Sequence, residues 1–172
     1  MKKMLALLAV LCSATAAFAH HHDDTVVRWR SVVGVITALN VDNPVGNISS
    51  GTFAWQARSG RASVNLSTGA ASFEVEGLTI NGSVFSGTPG PIDAVTGTLV
   101  CNAGDLDTQT VLDTPSVPLN VHGDARFNGN IAGVPASCGN PIFLVRIATP
   151  ATGAVGRWIA TGAERFTDDD DR

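Results

Sequence analysis

The chain has no tyrosine, and its only lysines are Lys2 and Lys3. A Schiff-base lysine and a tyrosine general acid are therefore not available to the body of the protein. Charged residues are sparse, at 15%. There is no C-x-x-C pair, no Gly-x-Ser-x-Gly elbow and no EF-hand glycine pattern. These gaps remove the landmarks of a dithiol redox centre, an α/β-hydrolase nucleophile and a loop calcium site. The longest apolar stretch lies near the N-terminus and falls short of the roughly 20 strongly apolar residues that span a bilayer. The formal net charge of −4 makes nucleic acid and anionic membrane surfaces poor partners.

What is present begins with an export signature. Met1-Lys2-Lys3 is a basic start, Met4–Val10 an apolar run, and Ala17-Phe18-Ala19 a small-x-small site, the three parts of a secretory signal peptide. The expected cut after Ala19 makes residues 1–19 a signal peptide and His20 the mature N-terminus, with a secreted or periplasmic destination. Cys12 lies inside the apolar run behind Leu11, a residue too large for a lipoprotein site, and leaves with the signal. Losing Lys2 and Lys3 takes the formal charge to about −6. Residues 20–24 read as a His/Asp-rich leader, 25–166 as one domain, and 167–172 as an acidic disordered tail.

Two cysteines remain, Cys101 and Cys138. In an exported chain an even count predicts a disulfide, and two cysteines allow one pairing. Closing that loop is worth roughly 3–4 kcal/mol on the chain-entropy model.

The body is rich in Gly, Thr, Ser, Val and Ala, and its apolar residues alternate in short runs between turn residues. That pattern predicts an all-β fold, an antiparallel β-sandwich of about nine or ten strands. Along Thr25–Val41, Val27, Trp29, Ser31 and Val33 share one face, and Gly34 marks a bulge or bend. Phe53, Trp55 and Ala57 share a face in the next run; Ala62, Val64 and Leu66 follow, and then Ala71, Phe73 and Val75, opposite Ser72, Glu74 and Glu76. Val117, Leu119 and Val121 alternate in a later strand. Ile142–Ile147 reads as a central strand buried on both faces, and Ala154–Ala160 as the last strand.

From Val64 to Leu78 the chain reads strand, Gly turn, strand, Gly-Leu. In this stretch it resembles the chordin-type repeat (CHRD) domains, secreted β-sandwiches. The resemblance implies an Ig-like or CHRD-like sandwich and no more. The His-x-His-Gly segment of that family is replaced here by Thr79-Ile80-Asn81-Gly82, so no family site carries over.

Several residue sets have the types that chemistry needs. An N-terminal amine, two amides and His22 form a square-planar nitrogen set for copper or nickel. The amine and ring of His20 with His122 would instead make a copper brace. His20, His21, His22 and His122 are thus the candidate metal ligands, against the plain reading of a solvated leader. His122 with Asp124 at i, i+2 is a candidate hydrolase pair, and Glu74 with Glu76 a candidate glycosidase pair at about 6.5–7 Å along a strand. Asn102, Asp105 and Asp107, with Asp93 or Asp113, are candidate calcium ligands. Trp29, Trp55 and Trp158 have arginine neighbours, but adjacent strand residues face opposite ways. Trp inside and Arg outside is the expectation.

These observations favour an exported, non-enzymatic binding or structural module with no identified ligand. The alternative is a copper-binding protein, or a copper-dependent oxidase, using the N-terminal histidines. Self-association through edge strands is a further option. No transmembrane segment is expected in the mature chain.

Overall fold

The computed structural model describes residues 25–38 and 41–167. The expected signal peptide, the leader with His20, His21 and His22, and residues 168–172 lie outside the described residues. The described chain is all-β and holds eleven strands: β1 (Val26–Gly34), β2 (Ala54–Gln56), β3 (Ser59–Asn65), β4 (Ala70–Glu76), β5 (Thr79–Asn81), β6 (Ala94–Cys101), β7 (Thr110–Asp113), β8 (Val117–Pro118), β9 (Ala125–Asn130), β10 (Ile142–Thr149) and β11 (Ala154–Thr167). Among the described residues, no helix is long and apolar enough to cross a membrane.

Nine strands form one sheet in the order β7-β6-β10-β11-β1-β3-β4-β9, with β8 also paired to β6; β2 and β5 form a separate pair. All the strand pairings are antiparallel. The sheet is strongly curled, and its aromatic core shows by how much. Phe143 of β10 lies 5.7 Å, ring centre to ring centre, from Phe73 of β4, and 5.6 Å from Trp29 of β1. Three strands separate β10 from β4 in the sheet. In a flat sheet, four steps of about 4.8 Å would hold them roughly 19 Å apart. Phe127 of β9 stacks on Phe73 at 6.0 Å. The two ends of the sheet also approach each other. β8 leaves β6 through a tight turn, closed by Gly123 N–H to Asn120 O at 2.9 Å, and the chain enters β9.

The period-2 pattern explains which faces are buried. Ala62 and Val64 on β3, and Ala71, Phe73 and Val75 on β4, are all buried as the alternation requires. Each large aliphatic or aromatic side chain taken fully out of water contributes about 1.5–3 kcal/mol. β6 is buried along its whole length, and β10 beside it is buried at Phe143, Leu144 and Val145, as expected of a strand covered on both faces. Trp29, Trp55 and Trp158 are buried while Arg30, Arg58 and Arg157 are exposed, so the tryptophan-in, arginine-out expectation holds.

Three expectations are corrected, and Gly34 gains a further role. The buried face of β1 switches from Val27 and Trp29 to Val32, leaving Val33 43% exposed. Pairing with β3 stops at Trp29–Ala62. Glu164, across from Arg30 in the β11 register, takes a left-handed backbone at φ 53°. Beyond that point Val32 packs over Gly60, where an added Cβ would lie 2.6 Å from its Cβ. Gly34 is a point of close approach, with β2 passing so near that a side chain would strike the Trp55 carbonyl. Val121 is 78% exposed, because β8 ends at Pro118 and Val121 belongs to the turn. β11 runs through Thr167, into the segment expected as tail, because Thr167 pairs with Val27.

Cys101 and Cys138 are disulfide-bonded, with Cα atoms 4.8 Å apart across a sequence separation of 37. The bridge ties the buried end of β6 to the loop that leads into β10. Asn102 supports the same junction. Its N–H donates to the Gly139 carbonyl at 2.8 Å, and its Oδ1 accepts the Gly139 N–H at 3.0 Å.

Candidate functional site

The sequence-derived candidates are mostly engaged in structural contacts. Glu74 pairs with Arg61 at 2.6 Å, and Glu76 accepts from Ser59 at 2.9 Å and from Arg58 at 3.4 Å. Both lie on the outer face, where half-exposed ion pairs contribute little. His122 and Asp124 are in the β8–β9 turn rather than on a strand. The Asn120 Oδ1 accepts both of their backbone N–H groups, at 2.8 and 2.9 Å. The Asp124 carboxylate accepts the Gly77 N–H at 2.9 Å. That bond, aided by Asn120, holds its pKa below the ordinary value. Asp124 is thus a brace between two turns.

The candidate calcium residues do not gather. Asp105 accepts from its own loop, at Asp107 N and Thr108 Oγ1. Asp113 sits apart, accepting from Thr98 at 2.5 Å and facing Arg146 at 3.4 Å. Among the described residues there is no group of three or more His, Cys, Asp or Glu side chains placed to hold a metal ion. His122 is exposed; its proposed metal partners His20, His21 and His22 lie outside the described residues.

The site that the structure does build is an apolar pocket of about 200 Å³ beside the β2–β5 pair. Its walls are Phe53, Trp55, Ile80, Phe85, Ile92 and Ile147, and Arg157 stands at its edge. Three pieces of chain make it. The first is the strap before β2, which crosses β11 through Trp158 N–H to Ser49 O at 3.1 Å and Gly51 N–H to Trp158 O at 2.7 Å. The second is the β5–β6 loop, folded down over Ile80 by Gly87 N–H to Ile80 O and Ile80 N–H to Thr88 O, both 2.9 Å. Gly90 lets that loop close. Its φ is 64°, and a Cβ there would lie 3.0 Å from Ile80 and 3.3 Å from the Phe85 ring. The third is the β10–β11 pair, whose register shifts at Val145/Arg146 and Arg146/Ala148. Such irregularities re-aim side chains, and here Ile147 and Arg157 lie within the shifted stretch.

Few polar groups face this pocket. The indole N–H of Trp158 donates to the Asn43 carbonyl at 2.9 Å. That of Trp55 has no protein acceptor among the described residues but keeps contact with solvent. Arg157 donates through Nη1 to the Ser50 carbonyl at 2.7 Å. The Asp42 carboxylate lies 4.0 Å from the same nitrogen, and hydrogen bonds from the Ser49 hydroxyl and the Ser50 N–H lower its pKa. Arg157 is held at one nitrogen, and its side chain is half exposed.

On the outer face nearby, Arg146 is nearly covered. It donates from Nε to the Gly156 carbonyl at 2.8 Å and from Nη2 to the Val155 carbonyl at 3.2 Å. Burial lowers its pKa and Asp113 opposes that shift. Arg146 therefore pins the irregular β10–β11 turn that carries Arg157.

Sequence reasoning did not find the pocket. Its walls come from four separate stretches, which no local sequence pattern joins. The one local signal was Phe85, an aromatic between Gly82 and Gly87. Compared with protein-family models, curated proteins and solved structures, the chain matches none.

Proposed function

We propose that this chain is an exported, non-enzymatic binding module of sandwich type that holds a small apolar group in the Trp55 pocket. The pocket itself carries the reading: aromatic and branched side chains line about 200 Å³ beside the β2–β5 pair. Small-molecule sites are concave and mostly apolar, with a few polar groups that orient the ligand. A cavity of about 150 Å³ is enough for benzene, so this one admits a single ring with a short substituent. The engagement of Glu74, Glu76 and Asp124 in ion pairs and turn bracing supports the non-enzymatic part. The n-, h- and cleavage-region pattern and the disulfide support export. The chordin-type resemblance and the facing of β4 against β10 support the sandwich assignment.

Two measurements test this. Expression of the full chain in a bacterium, followed by N-terminal sequencing of the exported product, is expected to read His20 first. Titration of that product with 4-methylphenol is expected to show saturable one-to-one binding, lost in an Ile147→Trp variant that fills the pocket and keeps the wild-type circular dichroism. Absence of saturable binding, or undiminished binding by the filled variant, contradicts the reading.

A further inference from the structure

We infer that the ligand of this pocket is a small aryl carboxylic acid, bound with its ring against Trp55 and its carboxylate at Arg157; this rests on the binding reading above. Two observations lead to the acid. The pocket volume of about 200 Å³ suits one ring and a short chain, since a cavity of about 150 Å³ already takes benzene. Arg157 is the one charged residue of the lining. Its Nη1 is fixed by the Ser50 carbonyl, and its Nε and Nη2 have no protein acceptor among the described residues.

Guanidinium and carboxylate match in planar, two-pronged geometry. Asp42 does not supply this partner within the pocket. It stands 4.0 Å away, is not part of the lining, and is already held by Ser49 and Ser50. A neutral hydrocarbon would leave the Nε and Nη2 groups of Arg157 to water. An amine would face Arg157 with like charge. The carboxylate answers the charge at the rim, and the ring fills the space between Phe53, Phe85 and Ile92.

The test is calorimetric titration of the mature protein with 3-phenylpropionate and its neutral isostere 3-phenylpropionamide. The acid is expected to bind at least tenfold more tightly, and that preference is expected to shrink at high salt, as a half-exposed ion pair requires. In Arg157→Gln the preference is expected to vanish while amide binding persists, and Arg157→Lys is expected to restore part of it. Equal affinity for acid and amide in the wild type overturns the acid assignment and leaves the pocket reading standing. Failure of both probes to bind overturns the pocket reading itself. The wild-type comparison decides the matter even if Arg157→Gln does not fold. Tighter binding of the tripeptide Gly-Gly-Phe than of 3-phenylpropionate would move the site to peptide C-termini and overturn the small-acid assignment.

Discussion

Replacing Gly97 by alanine sets two physical effects against each other at the centre of the fold. A Gly→Ala change at an unstrained site stabilises by about 0.4–1 kcal/mol through the unfolded chain. Gly97 has no positive φ, so backbone reasoning alone predicts a gain. The packing predicts the reverse. An added Cβ would lie 2.8 Å from Cδ1 and Cε1 of Phe73 and 2.9 Å from Cζ of Phe143, whereas carbon atoms rest at about 3.5–4.0 Å. Both rings are almost fully buried and press on each other and on Trp29 and Phe127. β6 cannot retreat, because Gly97 exchanges hydrogen bonds with Thr114 at 2.8 and 3.0 Å. Overpacking of this kind costs about 1–3 kcal/mol, so against a gain of about 0.4–1 kcal/mol the net is a loss of up to about 2.6 kcal/mol, centred near about 1.3 kcal/mol. Urea unfolding of the disulfide-intact protein reads this as a lower midpoint at unchanged m-value. Gly104, where an added Cβ meets nothing within 4 Å, is the control and is expected to be neutral or slightly stabilised by alanine. A Gly97→Ala protein more stable than the wild type would refute the claim that the Phe73 and Phe143 rings pack tightly over Gly97.

Two further outcomes follow from the same structure. The double variant Cys101→Ser, Cys138→Ser is expected to lose about 3–4 kcal/mol in urea unfolding, as the closed loop of that length implies. Asp124 has a depressed folded-state pKa, so its contribution is fully present above its ordinary value of 3.8 and is lost as the pH falls through the lower folded value. An acid titration of stability is therefore expected to fall less steeply below about pH 4 in Asp124→Asn than in the wild type.

The strands were legible where one face is buried and the other wet. Arg61–Ser67 and Ala71–Glu76 alternate cleanly, and the structure buries Ala62, Val64, Ala71, Phe73 and Val75 as the alternation demands. Ile142–Ile147 was legible as a covered strand for the opposite reason, its near-continuous apolarity. The disulfide was legible because only one pairing was open. Other features depend on partners far away in sequence. β7 (Thr110–Asp113) has no strong pattern of its own and exists by pairing with β6. The change of face in β1 follows from where β3 stops pairing, which alternation cannot register. The His122–Asp124 pair looked like two residues of a strand. Asn120, which accepts both N–H groups, turns that stretch into a loop. The pocket was hidden for the same reason: Trp55, Ile80, Phe85 and Ile147 meet only after β11 is strapped by the segment before β2.

The central claim is that the Trp55 pocket binds a ligand, and the chain offers a clean reporter for it. It has three tryptophans, hence three indole N–H resonances in a ¹⁵N-labelled sample, assignable by single Trp→Phe replacements. On titration with 3-phenylpropionate, the account predicts a large saturable shift of the Trp55 indole resonance, with Trp29 moving little. Trp158, whose N–H is committed to Asn43, is likewise expected to move little. A Trp55 resonance that stays in place, or three resonances that drift together without saturation, would contradict it.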